Sequence, residues 1–262
     1  MTGPLEGVRV LEFSEIVAGP LGGLLMADLG AEVIKVEPPW GDPWRQGRLY
    51  GPGDERVFLG LNRGKRSITL DLKTPRGQEV AHRLAKSSDV VTTNHRPDVP
   101  VRLGIDYETL SELNPRIIYC EVTAYGPEGP DSRQPGYDLV MQGYSGMVAT
   151  EGNYTDGRLM PIVSTAPIDF ATGQSIATSV AAALYYRERT GKGQKIDISL
   201  LASALMIQTL TLTQLDDLPS GAQAWVRDEL PLLREAGVPY ADLNAMYQEL
   251  RNNPAYSIYY RS

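Results

Sequence analysis

Residues 8–37, which read VRVLEFSEIVAGPLGGLLMADLGAEVIKVE, decide the fold class of this 262-residue chain. Residues 8–13 predict a buried strand, residues 20–29 predict a helix that Gly30 ends, and residues 31–37 predict a second strand. A strand, a glycine-containing turn, a helix and a strand make up a βαβ unit, in which the two strands run parallel. We therefore predict an α/β fold in which helices flank a parallel sheet.

The turn between the first strand and the helix, residues 16–20, reads Ile-Val-Ala-Gly-Pro. It lacks the G-x-G-x-x-G spacing of a dinucleotide site, although Glu37 ends the second strand where a ribose-binding acid would stand. A nicotinamide-dependent dehydrogenase therefore stays open as an alternative. Because parallel sheets bind ligands outside the carboxyl ends of their strands, we predict a binding edge at this turn.

Hydrophobic patterning predicts further elements along the chain. Strands are predicted over residues 67–72, 89–93, 116–123 and 195–200. Helices are predicted over residues 75–87, 107–113, 137–147, 167–187, 201–215 and 222–251. Thr74 is the expected cap of the helix that begins at Pro75. Residues 38–66 and 152–158 are predicted to be irregular.

The composition excludes several classes of protein. With two histidines and one cysteine, the chain has too few ligands for a protein-built zinc site and too few bases for a Ser-His-Asp or Cys-His arrangement, so no metal is expected. A net charge of −7 argues against a nucleic-acid partner. No signal peptide and no apolar run of roughly 18 residues is present, so we expect no membrane span. The lone Cys120 fits a reducing cytoplasm.

Asp169 is the first candidate for chemistry. It stands two residues after Pro167, and proline is favoured at the first position of a helix. The carboxylate is thus expected in the first helical turn, where unpaired N–H groups and the helix dipole favour an anion. Most such aspartates only begin a helix, so the functional interpretation depends on the surrounding residues.

Two polar clusters accompany the predicted strands. Asn94, His95 and Arg96 follow the strand 89–93 directly, where a ligand would bind if the sheet is parallel. Residues 62–66 read Asn-Arg-Gly-Lys-Arg, which indicates either a solvated loop or a patch that faces phosphate. A surface role for His95 also stays open.

Several segments together resemble the class III CoA-transferase family, which includes formyl-CoA transferase and related acyl-CoA racemases. The matching segments run in family order: the opening VRVLEF, AGP and LGAEVIKVE; KRSITLDLK; Arg102-Leu-Gly; Leu113-Asn-Pro-Arg; and Thr190-Gly-Lys-Gly-Gln. The resemblance implies a CoA-binding Rossmann-like domain in which Asp169 is the nucleophile and acyl-CoA is a substrate, with no other cofactor. It also implies CoA contacts by Val17, Ala18, Leu72, Lys73, Asn94, His95, Arg96, Arg102 and Tyr137.

The implied reaction transfers CoA from an acyl-CoA thioester to a carboxylic acid through covalent intermediates on Asp169. Such covalent catalysis divides one difficult exchange into easier steps. It requires a desolvated acid with backbone donors nearby, which the amino terminus of a helix can supply. Arg96 and Arg102 are natural partners for the phosphates of CoA.

The chain departs from the family pattern at three places. Val17 replaces a glutamine of formyl-CoA transferase, so formate and oxalate specificity is in doubt. Pro38 replaces an arginine that binds CoA there, which leaves Arg45, Lys65 or Arg66 as substitutes. The racemases carry Gly-His-Asp where this chain reads Gly136-Tyr-Asp, and a tyrosine with an ordinary pKa of about 10 is a poor base at neutral pH.

Family members continue well beyond this chain. Residues 1–215 are predicted to form the CoA-binding catalytic domain, and residues 216–262 a linker and helical tail that leads to a missing small domain. We expect a dimer or a heteromer with a related subunit, since uncovered apolar surface and the tyrosines at 256, 259 and 260 are typical of interfaces. A racemase or isomerase, and a non-catalytic CoA-binding subunit, remain the alternatives.

Overall fold

The computed structural model describes residues 3–45, 55–151, 153–155, 158–213 and 221–252. The chain divides into two compact units, residues 1–141 with 166–203 and residues 142–165 with 204–262. The predicted boundary between residues 215 and 216 and the tyrosines at 256, 259 and 260 lie outside the described residues.

The first unit contains six strands: β1 Arg9–Glu12, β2 Glu32–Glu37, β3 Arg66–Thr69, β4 Val90–Thr93, β5 Ile118–Thr123 and β8 Gln194–Ser199. Its helices are α1 Ala18–Asp28, α2 Arg56–Asn62, α3 Pro75–Lys86, α4 Asp98–Leu103, α5 Tyr107–Leu113 and α8 Pro167–Thr190. Helices α6 Asp138–Tyr144 and α9 Leu200–Ile207 begin in this unit and continue into the second.

The predicted fold class is confirmed, because the six strands form one parallel sheet in the order β3-β2-β1-β4-β5-β8. Strands β1 and β2 pair directly, with Arg9 opposite Glu32 and Glu12 opposite Lys35. From β1 the chain adds β2 and then β3 towards one edge of the sheet. The connection from β3 to β4 then crosses back over β2 and β1, so that β4 and β5 are added towards the opposite edge. The order therefore reverses between β1 and β4, which makes their carboxyl ends the switch point where open α/β sheets bind ligands.

Helices cover both faces of the sheet, because successive strand residues point to opposite faces. Val10 and Met26 belong to the core on the face of α1 and α8, together with Ile176. Leu11 belongs to the core on the face of α3 and α5, together with Leu110. All five side chains are essentially inaccessible to solvent.

Helices α1 and α8 pack closely because each presents a glycine to the other. A Cβ atom at Gly22 would lie 2.6 Å from Ile176 Cγ2, and one at Gly173 would lie 2.7 Å from Leu21 Cγ. Real Cβ atoms do not approach so closely, so a side chain at either position would push the helices apart. This contact fixes α8, which carries Asp169, against the helix that follows β1.

The structure corrects several predicted elements. Helix α2 lies within residues 38–66, which were predicted to be irregular; its seven residues are too few for a clear helical period, yet Phe58 and Leu61 are buried. Helix α4 was also missed. The helix predicted over 137–147 ends at Tyr144, and Gly146 has a φ of 81°, which interrupts helical geometry.

The second unit comprises α7 Met147–Glu151, β6 Tyr154–Thr155, β7 Arg158–Leu159, α10 Thr209–Leu212, α11 Gly221–Asp228, α12 Leu230–Glu235 and α13 Tyr240–Asn252. Strands β6 and β7 form an antiparallel ribbon where a loop was predicted. The helix predicted over 222–251 is broken twice, since Pro231 lies at the start of α12 and Gly237, at a φ of 75°, follows it. Within the described residues, no helix is long and apolar enough to cross a membrane.

Candidate active site

A cavity of about 220 Å³ lies in the first unit at the carboxyl ends of β1, β4 and β5. Its walls come from residues 15–18 after β1, residues 94–97 after β4, residues 134–137 before α6, and Asp169 at the start of α8. The cavity is thus at the switch point of the sheet, where the topology brings the ends of β1 and β4 together.

Asp169 is the third residue of α8 and is only 8% exposed. The backbone N–H groups of Ile168 and Asp169 donate to Oδ2 of Asp138, at 2.8 and 3.1 Å. Burial raises the pKa of Asp169 to about 7, with a further contribution from the Asp138 carboxylate. Near neutral pH the group is therefore divided between its protonated and its ionised form, as perturbed groups of active sites often are.

Asp138 occupies backbone donors that the sequence analysis expected to be free. The first turn of α8 was predicted to supply free donors for an oxyanion, but Asp138, itself buried, accepts the first two N–H groups of that helix. Sequence reasoning noted Asp138 only as part of Gly-Tyr-Asp and missed its role as the cap of α8. A carboxylate 30 residues before a helix start gives no local signal, because the two meet only through the tertiary fold.

Helix α1 offers an alternative set of donors at the same cavity. Val17 and Ala18, both buried, stand at its amino terminus, and no side chain of the capping residue bonds there. The first N–H groups of a helix lack partners within the helix. The cavity is therefore lined by the starts of two helices, α1 and α8, of which Asp138 caps the second.

The turn that precedes α1 is held in an unusual conformation. Ile16 has a φ of 72°, and among the described residues it is the only one other than glycine with a positive φ. For a β-branched residue this region is strained. Asn94, after β4, holds the preceding residue from both sides: its Oδ1 accepts from the N–H of Glu15 at 3.0 Å and its Nδ2 donates to the carbonyl of Glu15 at 2.7 Å.

His95 lies beside this turn with Nδ1 2.8 Å from the hydroxyl of Thr93. Burial, followed by the charge of Lys35, lowers the pKa of His95 to about 4. The imidazole is consequently neutral at physiological pH and can exchange hydrogen bonds with a ligand without contributing a charge.

A second cavity of about 310 Å³ shares Glu15 and His95 with the first. It is lined by Leu72, Lys73 and Arg102, and the Nζ atom of Lys73 lies 5.3 Å from the centre of the Trp40 ring. Trp40 is 55% exposed, so a flat aromatic face is available at the rim. The shared residues make the two cavities neighbours along the edge of the sheet.

The structure brings all ten predicted site residues to these two cavities. The first is lined by Val17, Ala18, Asn94, His95, Arg96, Tyr137 and Asp169. The second is lined by Leu72, Lys73, His95 and Arg102. Arg96 and Arg102 each lie 3.6 Å from Asp98 and are more than half exposed, so both guanidinium groups remain accessible to a ligand. Their roles in binding stay a prediction.

None of the three residues considered as substitutes for the family's CoA-binding arginine, for which this chain has Pro38, lines either cavity. Arg45 pairs with Glu37 at 2.7 Å and Arg66 pairs with Glu32 at 3.0 Å. Lys65 pairs with Glu12 at 2.9 Å, and its side chain is only 2% exposed, so the interpretation of this residue as part of a solvated loop or phosphate patch is wrong. The carboxylate of Glu37 is likewise occupied by Arg45, which removes the ribose-binding role considered for it.

Among the described residues, no group of three or more His, Cys, Asp or Glu side chains could hold a metal ion. The first cavity offers the buried carboxylate of Asp169, the carboxylate of Glu15, a neutral imidazole and the amino terminus of a helix. Such a site can attack an electrophilic carbonyl and stabilise the oxyanion that forms.

The chain is thus an α/β protein with an open parallel sheet and a buried carboxylate in a cavity at the switch point of that sheet. The model of CoA-transferase family III matches residues 5–229, and the chain belongs to this family. The family resemblance inferred from the sequence is therefore confirmed.

Curated relatives agree with this assignment. The chain is 41% identical over 206 residues to succinate–glutarate CoA-transferase of Agrobacterium fabrum, covering 76% of this chain and 51% of that protein. It is 39% identical over 207 residues to acetyl-CoA:oxalate CoA-transferase of Acetobacter aceti, covering 78% and 52%. The chain thus spans about half the length of the curated relatives it matches.

Solved structures show the same fold. A CAIB/BAIF family protein from Brucella suis superposes with a TM-score of 0.74 at 35% identity, over 87% of this chain and 58% of that chain. Rv3272 from Mycobacterium tuberculosis gives a TM-score of 0.73 at 34% identity, over 95% and 78%.

Proposed function

We propose that this protein transfers CoA from an acyl-CoA thioester to a carboxylic acid through covalent intermediates on Asp169. The observation that carries the proposal is a carboxyl group with a pKa of about 7, buried in a cavity at the switch point of a family III chain. A structural aspartate at a helix start would not need to line a cavity. The relatives named as CoA-transferases support the reaction class.

The reaction proceeds in balanced steps. The Asp169 carboxylate attacks the thioester carbonyl and expels CoA thiolate, which leaves a mixed anhydride on the enzyme. The thiolate then attacks the aspartyl carbonyl, releases the acyl group as a carboxylate and forms an aspartyl-CoA thioester. An acceptor carboxylate repeats this exchange in reverse and leaves as the new acyl-CoA, which regenerates Asp169.

Each tetrahedral intermediate carries an oxyanion, which needs donors in a dry site. Since Asp138 occupies the first N–H groups of α8, we assign this role to the start of α1, at Val17 and Ala18. Val17 itself adds an apolar wall, so the first cavity favours water exclusion over polar recognition of the acyl group.

We propose that the CoA moiety extends across both cavities. Lys73 and Arg102 would bind its phosphates in the second cavity, near Trp40, while the pantetheine arm would pass Glu15 and His95 to reach Asp169 in the first. The shared wall of the two cavities supports this path, because a ligand in one can continue into the other. A neutral His95 suits contact with the amide groups of pantetheine.

The assembly belongs to the same proposal. The relatives contain about as much sequence again as this chain matches. We infer that full turnover needs the counterpart of that portion and that the protein acts as a dimer or heteromer, in the cytoplasm that its lone, buried Cys120 suits. Exposed apolar side chains at Met206 and Leu210 support association through the second unit.

Mass spectrometry tests the chemistry. The protein is incubated with a panel of acyl-CoA donors, with and without hydroxylamine, and the peptide that contains Asp169 is analysed. An acyl or CoA adduct on Asp169, converted by hydroxylamine to a hydroxamate, is the expected result. Exchange of the α-proton of the donor for deuterium with no adduct on Asp169 would contradict the proposal and favour an isomerase.

The substitution Asp138→Asn will move the pH dependence of adduct formation. The attacking species is the carboxylate, so the rate in the natural protein should rise as pH increases through about 7. The asparagine side chain keeps an oxygen acceptor for the two N–H groups but removes the negative charge that contributes to the raised pKa of Asp169. The midpoint is expected to fall below 7 yet stay above 3.8, because burial remains. An unchanged midpoint would show that the Asp138 charge does not act on Asp169.

Replacing Arg102 by Ala will weaken CoA binding about tenfold, the loss expected when one charge-assisted phosphate contact is removed. Isothermal titration at two salt concentrations measures the effect, which should shrink at high salt. Arg63→Ala is the matched control, since Arg63 is also exposed and paired with an aspartate, Asp28, but lines neither cavity. Equal losses in the two variants would contradict a phosphate contact at Arg102.

A further inference from the structure

Four charged side chains are buried together at the carboxyl ends of β1 and β2. This buried ion cluster consists of Glu12, Lys35, Asp42 and Lys65, whose side chains are each at most 2% exposed. Glu12 ends β1 and stands opposite Lys35 of β2 in the sheet register. The proposed chemical steps use none of the four, although Lys35 and Asp42 also line the second cavity.

The cluster is internally paired. Lys35 Nζ lies 3.3 Å from Glu12 Oε1 and 3.1 Å from Asp42 Oδ2. Lys65 Nζ lies 2.9 Å from Glu12 Oε2 and 3.0 Å from Asn62 Oδ1. The two positive and two negative charges balance. Buried ion pairs seldom stabilise a protein more than apolar residues of the same volume would, so stability alone does not explain why charges occupy this position.

Each ammonium group also donates to the backbone, that of Lys35 to the connection between β1 and α1 and that of Lys65 to the first turn of α1. Lys35 Nζ bonds the carbonyl of Ser14 at 2.6 Å, and Lys65 Nζ bonds the carbonyl of Pro20 at 2.7 Å. These carbonyls lie on either side of Ile16, whose φ of 72° is strained for a β-branched residue. Strained backbone persists only where surrounding contacts over-determine it. The two lysines supply such contacts at both ends of the strained segment.

We propose that Lys35 and Lys65 are positioning residues that clamp residues 14–20 in the conformation that presents Val17 and Ala18 to the ligand. Glu12 is the shared anchor that fixes both ammonium groups, and Asp42 completes the pairing of Lys35. The importance of the clamp for catalysis rests on the proposed function, whereas its mechanical effect on residues 14–20 does not. The two effects can therefore be measured separately.

Hydrogen exchange measured by mass spectrometry tests the mechanical effect. In Lys65→Met the amides of residues 14–19 are expected to exchange at least about tenfold faster, an increase equivalent to roughly 1.4 kcal/mol of local opening. Arg187→Met is the matched control, because Arg187 is also buried and pairs with Asp89 at 2.9 Å, but it donates to the carbonyls of Asp89 and Arg116 rather than to residues 14–20. Equal acceleration of this segment in both variants would overturn the clamp.

CoA titration of the same two variants tests the effect on the site. Lys65→Met should raise the dissociation constant about tenfold, while Arg187→Met should leave it within about twofold even if it lowers global stability more. If the natural protein does not bind CoA at all, the proposed function fails, but the exchange result still decides the clamp. If the Met variant does not fold, Lys65→Gln replaces it, because the amide of Gln keeps N–H donors without the charge. A rise of the dissociation constant smaller than tenfold is then expected.

A double-mutant cycle with Ile16→Gly separates the clamp from a general loss of structure. Glycine adopts a positive φ without strain, so residue 16 no longer needs to be held. The acceleration of exchange caused by Lys65→Met is expected to be at least about threefold smaller in the Ile16→Gly background, as coupled neighbouring sites behave. Additive effects of the two substitutions would overturn the proposal.

Discussion

Asp169→Asn is expected to abolish the covalent adduct and to lower the rate of CoA transfer by roughly 10³-fold or more, as removal of an enzyme nucleophile does. The amide is nearly the same size as the carboxylate but cannot attack a thioester to give an anhydride. Asp169 is buried with a pKa of about 7, so removal of the acid should also relieve a buried titratable group. Unfolding by urea is expected to show an unchanged or slightly increased stability, together with intact CoA binding.

Phe170→Leu controls for a general disturbance at the start of α8. Phe170 is the next residue along the helix and 45% exposed, so its substitution leaves the buried carboxylate in place. Activity within a few-fold of the natural protein is expected for this variant. A fully active Asp169→Asn enzyme, or an adduct mapped to another residue, would refute the nucleophile assignment.

Gly23→Ala is expected to lower the free energy of unfolding by about 3 kcal/mol, at the upper end of what overpacking of a buried site costs. A Cβ atom at position 23 would overlap with Oε2 of Glu12. Glu12 cannot move aside freely, because Lys35 and Lys65 hold both of its oxygen atoms. The substitution should therefore either break these ion pairs in the core or displace α1. Urea denaturation followed by circular dichroism measures the loss.

Gly60→Ala provides the matched substitution in an open environment. Gly60 also lies within a helix, α2, and a Cβ atom there would meet nothing within 4 Å. Alanine is the better helix former, so this variant should be more stable by about 0.5–1 kcal/mol. If the two alanine variants changed stability by similar amounts in the same direction, the close approach of Glu12 to α1 would not hold in solution.

Much of the fold followed from local patterns. The stretch from Val8 to Glu37 shows a buried strand, a helix and a second strand, and β1 pairs parallel with β2 because the helix α1 forms the crossover between them. Thr74 caps α3 as its residue type predicts, since its hydroxyl accepts from the N–H of Gly77 at 3.1 Å. The strand order was not available from these patterns, because it depends on which face each crossover takes.

In the candidate site, too, some residues could be predicted from the sequence and others could not. Asn94 and His95 were found because residues after the strands of a parallel sheet gather at one edge. Asp138 and Lys65 were misjudged, since a charged residue in a sequence is usually exposed and its burial depends on a partner elsewhere in the chain. Helix α2 was missed for a similar reason. Its apolar residues pack against α1, and this tertiary contact is not visible in the sequence of the short helix itself.

The paired glycines between α1 and α8 have a consequence for the reaction itself. Gly22 lies one helical turn beyond Ala18, and Gly173 lies one turn beyond Asp169. The close contact between the two helices therefore sets the distance from the carboxylate of Asp169, the proposed nucleophile, to the amides of α1 that are proposed to stabilise the oxyanion. A bulkier residue between the two helices would lengthen that distance without contacting the substrate. The turnover rate would then fall, while the affinity for CoA would stay nearly constant.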